Sequence, residues 1–300
     1  MLDENILGMI KNGNIEEAYE RKQIREYAEK LTKSSEECDA EGEEKQAFYK
    51  TGYVFLKFKP KANNAASDYD FMLRKKVNKE LISKGVSTPK IVLADFIKGD
   101  IAIEVQERAL GNVLYYRNKL NAAKYIIKHK YKNCINGAVA NNFTEINENM
   151  LGNFVADYAI ANQKKLKHAK DIHFVKLLSD YKIISNSGYY IDYHGENFIY
   201  NKDNGFSFID LNCEKSPSRM FQEDCGLLME LIQIIRGFST FSEIMPKDKI
   251  ETINKNIITL SKRVIKAAQS CNYDITKEQY NEIIRSNFKE EDLVHFDKLK

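Results

Sequence analysis

The sequence predicts an α+β chain in two parts, a small β-rich part followed by a larger, mostly helical one. Three observations predict it. Gln46-Ala-Phe-Tyr-Lys50 and Tyr53-Val-Phe-Leu-Lys-Phe58 flank Thr51-Gly52, the pattern of a β-hairpin, and Gly52 stands where a tight turn needs positive φ. From Gly111 onward the apolar residues recur mainly at helical spacing. Only four of 300 residues are proline, which suits a largely helical chain with some strand.

Taken in order, residues 4–32 read as helical, with Asn14 as N-cap, Glu17 reaching back to it, and a stripe of Ala18, Ile24, Tyr27, Ala28 and Leu31. Acidic loop material runs from Ser34 to Glu44. The hairpin follows, and Pro60 ends its second strand. Ser67 caps a helix running to about Ser83, with Gly85 just beyond it. Residues 86–93 and 101–106 read as two further strands joined by Lys98-Gly-Asp100, so the first third is β-β-α-β-β. Helices are expected over 112–133, 147–168, 172–182, 223–236, 248–268 and 276–287. A short β-like pair at 189–210 interrupts them. The expected division is a helical extension (1–32), a β-rich lobe (33–108) and a helical lobe (109–300), with a cleft where the two lobes meet.

Composition removes several functional classes. The net charge of +3, with no Arg-rich arm and no zinc-finger spacing, gives no expectation of nucleic acid. No apolar run approaches the roughly 20 residues of a membrane helix, and Met-Leu-Asp-Glu-Asn lacks the basic start of a signal peptide, so a cytoplasmic location is expected. Cys38, Cys134, Cys213, Cys225 and Cys271 are scattered singly, which indicates neither a disulfide frame nor a zinc site. His129, His168, His173 and His295 have no metal or triad spacing.

The chemistry concentrates in Tyr190-Ile-Asp-Tyr-His-Gly-Glu-Asn-Phe-Ile-Tyr200 and Phe206-Ser-Phe-Ile-Asp-Leu211. Asp192, Asn197 and Asp210 offer hard oxygen donors on neighbouring backbone segments. Such donors suit Mg²⁺ held together with phosphate oxygens and water. An Asp outside the metal set is then available to orient or deprotonate an acceptor hydroxyl.

These residues resemble the protein-kinase-like superfamily, and most closely its aminoglycoside-phosphotransferase and small-molecule-kinase branch. The catalytic loop of that branch reads His-Gly-Asp-Leu-His-Pro-Gly-Asn and is followed by Ile-Asp-Phe. Here Tyr190-Ile-Asp-Tyr-His-Gly-Glu-Asn197 and Phe208-Ile-Asp-Leu211 stand in those places. The resemblance spans roughly residues 40–235 and implies a two-lobed kinase-like fold using ATP and Mg²⁺. It implies Asp192 as catalytic base, Asn197 and Asp210 as metal ligands, and His194 as a loop support. Tyr53-Val-Phe-Leu-Lys57 looks like the strand with the phosphate-binding lysine. Lys59 is a rival on the same strand face; the alternation of Val54, Leu56 and Phe58 favours Lys57 and turns it, with Phe55, toward the cleft. Phe55 is equally a core residue or an adenine-stacking ring. Val105-Gln-Glu-Arg-Ala-Leu-Gly111 is similar to the family's hinge, placing Glu107 and Ala109 at the adenine edge, and Asp224 is similar to a helix-starting Asp after the metal loop.

Three departures qualify the resemblance. Tyr190-Ile191 replaces the outer His-Gly, and Leu211-Asn212 replaces Phe-Gly. The helix acid that should pair with the strand lysine is missing from its place near Lys75, with Asp70 and Glu80 the nearest acids. The phosphate loop is also thin, with only Gly42 before the first strand. The expected acceptor is a small hydroxylated molecule, with a protein hydroxyl as the alternative; a silent nucleotide-binding module and nucleotidyl transfer are the other readings. Between Asn112 and Lys182 there are twelve Lys and Arg against five Asp and Glu, with Lys124, Lys128 and Lys132 on one helical stripe. That excess is a solvated face or an attraction to an anionic partner, and neither suits a polycationic antibiotic.

Overall fold

The computed structural model describes residues 15–33, 36, 38–41, 45–50, 52–59, 68–97, 101–115, 121–122, 148–191, 195–212, 215, 223–236 and 243–287. The chain forms two compact units. The first comprises Met1–Lys79 and Lys90–Arg108, the second Glu80–Pro89 and Ala109–Lys300.

The first unit is a five-stranded antiparallel sheet with helices, ordered β1-β2-β3-β5-β4. Its strands are β1 (Ala40–Glu41), β2 (Lys45–Lys50), β3 (Tyr53–Phe58), β4 (Ile91–Ile97) and β5 (Ile101–Glu107). Gly52, at φ 79°, turns β2 into β3. Side chains alternate across a strand, so the register sorts them into two faces. Phe55 lies opposite Phe48 and Val105, and Lys57 opposite Gln46 and Ile103. Leu56 lies opposite Ala47 and Glu104, and Glu104 opposite Ala94.

Helix α1 (Ile15–Lys33) covers the Phe55 face. Its buried residues Ile24, Ala28 and Leu31 recur at i, i+4 and i+7 and pack with Phe48, Phe55, Ile97, Ile103 and Val105. Tyr27 meets the Phe55 ring edge-on at 4.7 Å, and the Tyr53 hydroxyl donates to Glu20 at 2.5 Å. Arg25 pairs with Asp95 at 3.3 Å. Lys30 and Lys33 sit in the last turn of α1, where cations offset the helix dipole. Helix α2 (Asp68–Ser83) lies on the opposite face. Arg74 reaches Glu104 and Phe58 there, Lys75 donates to the Val92 carbonyl, and Asn78 accepts from the Ile91 amide.

The strand expected over 86–93 begins only at Ile91. Gly85 takes φ 87°, and the amides of Gly85 and Val86 close back onto Ile82 and Leu81, which ends the helix in a Schellman cap. Pro89 has no amide to give a ladder, so pairing starts beyond it.

In the second unit, β6 (Asn112–Val113), β8 (Phe198–Asn201) and β9 (Gly205–Phe208) form a sheet ordered β6-β8-β9, and β7 (Tyr190–Ile191) pairs with β10 (Leu211–Asn212). A 3-10 turn, Gly195–Asn197, precedes β8. The helices are α3 (Glu148–Lys167), α4 (Asp171–Asn186), α5 (Asp224–Arg236), α6 (Lys247–Ser270) and α7 (Lys277–Asn287). Helix α6 is the hub and packs on α3, α4 and α5 through Ile257, Leu260, Val264, Ile265 and Ala268.

The second unit departs from the expected helices in two places. The helix expected from residue 112 does not start there, because Asn112 and Val113 pair with Tyr200 and Ile199; of its remaining span only Leu114, Tyr115 and the helical Asn121–Ala122 are described. The helix expected over 172–182 runs on to Asn186, where Gly188 and Tyr189 cap it on Ser185 and Ile184. Among the described residues, no helix is long and apolar enough to cross a membrane.

Candidate functional site

The polar motif of the second unit is assembled by backbone pairing. Phe198 opposes Phe208 in the β8–β9 hairpin, and the Ile209 amide donates to the Asn197 carbonyl at 2.9 Å, one step beyond the last strand pair. Asn197 is therefore held beside the segment that leads into Asp210. Ile191 opposes Leu211, so β7 runs alongside the residue that follows Asp210. Two predicted ligands thus lie on adjoining segments, next to the strand that precedes Asp192. Asp192 and His194 lie outside the described residues.

Asp210 has φ 57°, the only positive value among the described non-glycine residues. L-residues enter this region at a cost of about 1–2 kcal/mol, less for Asp and Asn. Asn197 is 4% exposed, whereas Asp210 is half-buried.

The 3-10 turn is pressed into place. The Leu114 amide faces the carbonyls of Gly195 and Phe198, each at 3.1 Å. A Cβ on Gly195 would fall 2.6 Å from the Tyr115 ring and 3.0 Å from its amide nitrogen, so only glycine fits. Tyr115 accepts from Gln163 of α3 at 3.3 Å, and Gln163 in turn accepts from Asn256 of α6 at 2.9 Å. Asn162 donates to the Val113 carbonyl at 3.0 Å. Gln163, Asn162 and Asn256 are all buried, so this chain of amides ties the segment beneath the turn to two core helices. A second tie runs through Ser87. Its carbonyl accepts from Phe208 at 2.8 Å and its amide donates to buried Asp180 at 3.1 Å, itself paired with Lys176. Asp224, at the start of α5, is engaged by Lys182 at 2.8 Å and by the Asp274 amide at 2.6 Å.

His173, beside the β8–β9 hairpin, places Nδ1 3.4 Å from the Tyr200 hydroxyl. Burial pushes its imidazole below the usual value, the positive charge of Lys170 adds to this, and Asp203 opposes it. It is a core histidine.

Among the described residues, no group of three or more His, Cys, Asp or Glu could hold a metal ion. Asn197 and Asp210 nonetheless fit Mg²⁺ by donor chemistry. An amide oxygen and a carboxylate are hard donors, and Mg²⁺ takes few protein ligands and completes its shell with water and phosphate.

In the first unit the predicted residues are placed differently. Phe55 is 2% exposed, its ring against Tyr27 under α1, so it has no face open to an adenine ring. Lys57 shares that covered face, and its Nζ donates to the Leu31 carbonyl at 3.1 Å. Its expected acid cannot come from α2, because α2 lies on the other side of the sheet. Glu80 belongs to the second unit and accepts from Lys84 at 2.7 Å, which holds its carboxyl below the usual range; the side chain of Asp70 lies outside the described set. Lys59, the rival lysine, pairs with Glu41 at 2.6 Å. Glu107 ends β5, where its amide donates to the Lys90 carbonyl at 2.9 Å, and Ala109 opens the second unit's main segment.

The sequence reading missed Glu104, which is 1% exposed and held by Arg74 at 2.5 Å. Its signal was a single acid in the middle of the apolar strand Ile101-Ala-Ile-Glu-Val105.

No family model matches this chain, and no curated protein matches it. Eleven chains of solved structures do. Three are structures of WbdD. One, a medium-resolution structure of WbdD described as a bifunctional kinase-methyltransferase, is 12% identical with a TM-score of 0.35 and covers 81% of this chain and 47% of that one. Another, WbdD with the kinase inhibitor LY294002, is 13% identical with a TM-score of 0.34, covering 86% and 49%. The third, at 2.2 Å, is 12% identical with a TM-score of 0.35, covering 82% and 48%. The chain spans about half the length of these structures.

Proposed function

We propose that this chain is a kinase-like phosphotransferase that moves the γ-phosphoryl group of ATP to a hydroxyl. The observation that carries the reading is the backbone pairing that sets Asn197 beside Ile209–Asp210 and Leu211 beside Ile191. It supports one compact set of hard oxygen donors next to the strand that runs into Asp192, as a Mg-nucleotide site requires. Asn197 and Asp210 would hold Mg²⁺. When bound, the metal would supply Lewis-acid stabilisation of phosphate charge. Asp192 orients the acceptor hydroxyl and takes its proton as the oxygen attacks phosphorus. The buried amide chain and the Gly195 contact keep the Asn197 turn fixed, so alignment supplies much of the acceleration.

The acceptor favoured is a small hydroxylated molecule, because the catalytic loop resembles that branch. Incubation with Mg-ATP carrying labelled γ-phosphate, against sugars, antibiotics and a cell lysate, tests both reaction and acceptor. Label on a small molecule supports the proposal, label on protein reassigns the acceptor, and a nucleotidyl adduct by mass spectrometry reassigns the group transferred. Asp192→Ala is expected to bind Mg-ATP normally while transferring orders of magnitude more slowly; near-normal turnover would remove Asp192 from its role.

A second reading, a catalytically silent nucleotide-binding module, is favoured by one observation: Lys57 lies under α1 with its amine on a backbone carbonyl. Thermal stabilisation by Mg-ATP without any turnover would select it.

A further inference from the structure

We propose that Lys167 is a positioning residue for Asn197: its ammonium sets the direction of the buried amide relay that seats Tyr115 under the Gly195–Asn197 turn. The inference rests on the phosphotransferase reading above, in which Asn197 is a metal ligand. Every residue in it belongs to the second unit.

A lysine in the last turn of a helix ordinarily points to solvent, where its charge offsets the helix dipole. Lys164 and Lys165, in the same turn of α3, are exposed. Lys167 is half-buried and donates to Asn256 Oδ1 of α6. Its charge is not needed to close the helix end. Arg263 of α6 does that, donating to the carbonyls of Leu166 and Lys167 at 2.8 and 2.9 Å and to that of Ala169 at 2.6 Å.

The consequence follows from donor and acceptor capacity. An ammonium has three donors and no acceptor, whereas a carboxamide can offer either its oxygen or its NH₂. Lys167 therefore obliges Asn256 to present Oδ1. That leaves Asn256 Nδ2 for Gln163 Oε1 at 2.9 Å, and Gln163 Nε2 for the Tyr115 hydroxyl at 3.3 Å. Asn256 is 6% exposed and Gln163 0%, so neither amide can turn to water instead. Without the ammonium, both amides can reverse together and still bond each other, with the Tyr115 hydroxyl donating, and two arrangements compete. The Tyr115 end of the relay abuts the turn. Its ring and amide leave no room for a Cβ on Gly195, and the neighbouring Leu114 amide faces the Gly195 and Phe198 carbonyls. One charge at the end of α3 thus selects a single packing beneath Asn197.

Hydrogen exchange on the full chain tests this without turnover. Lys167→Met keeps the stem and removes the donor. The amides of Leu114 and Ile209, which bond the Gly195 and Asn197 carbonyls, are then expected to exchange about tenfold faster. Those of Leu228 and Leu231, buried in α5, should change less, and Lys167→Arg should restore the slow rates. In steady-state kinetics the Mg²⁺ concentration for half-maximal turnover should rise about threefold to tenfold in Lys167→Met, while turnover at saturating Mg²⁺ stays close to wild type. Unchanged exchange at Leu114 and Ile209, equal acceleration of all four amides, no recovery in Lys167→Arg, or an unaltered Mg²⁺ requirement overturns the inference. If Lys167→Met does not fold, Lys167→Gln, which can donate or accept and so leaves the direction open, is judged by the same amides and the same criteria. Wild-type protein that neither binds nor turns over Mg-ATP refutes the phosphotransferase reading, and exchange alone then decides whether Lys167 seats the turn.

Discussion

The stretch from Tyr190 to Asn212 and the sheet of the first unit bring polar groups together by different means. In the former, Asn197 and Asp210 are thirteen residues apart, and one hairpin with its flanking pairs sets them side by side. In the latter, Arg74 meets Glu104 from thirty residues away, and two helices remote from β3, α1 and α2, cover the two faces of the sheet. Local pairing follows from local sequence. A choice between two faces follows from which helix covers each, and no residue of β3 records that.

Four experiments press on this difference. The largest effect belongs to the local motif. Asp210→Ala should reduce Mg-ATP turnover by roughly 10³-fold or more, because a metal ligand contributes several kcal/mol in the transition state. Steady-state kinetics with excess Mg²⁺ checks it, and retained turnover would break the motif's claim to chemistry. Next comes Phe55→Ala. If this ring is core and not a nucleotide platform, the change costs about 3–5 kcal/mol of stability in chemical denaturation. Under conditions where the variant remains folded, nucleotide affinity should hold. A normal denaturation midpoint with weakened ATP binding would return Phe55 to the site.

A smaller effect tests the strained backbone. Asp210→Gly and Asp210→Ala both remove the carboxylate, but only alanine places a Cβ at φ 57°. The glycine variant should be the more stable of the two by about 1 kcal/mol. Equal midpoints would mean that the left-handed conformation does not persist without Asp210. The smallest effect is pH dependence from His173. Its folded value lies below its ordinary 6.5, so the unfolded chain binds the proton more readily. Its contribution is fully present above about pH 6.5 and is lost as pH falls toward the folded value. A His173→Phe variant should flatten that part of the stability profile, and an unchanged slope would assign it to other groups.

Much of the fold was legible. The hairpin at Gly52 and the helices beginning near residues 148, 224, 247 and 277 follow from turn chemistry and apolar period, which act over a few residues. The strand at Asn112–Val113 was not, because its partner is Tyr200 and Ile199, far along the chain. In the candidate site, Asn197 and Asp210 could be named from their spacing with Phe198, Phe206 and Phe208, an apolar pattern that fixes the hairpin register. Glu104 could be noticed as an acid in an apolar strand, but its partner could not be named, since Arg74 on α2 is one of several cations there.

By itself the sequence determined the elements whose causes are local: a β-hairpin, a capped helix, a polar hairpin loop with hard oxygen donors. The tertiary structure alone decided that Phe55 and Lys57 would lie beneath α1, and that the buried charge of the sheet would be Glu104 answered by Arg74. The physical reason is that a strand presents two faces of similar apolar character, and only packing against helices remote in sequence decides which residues each face is buried against.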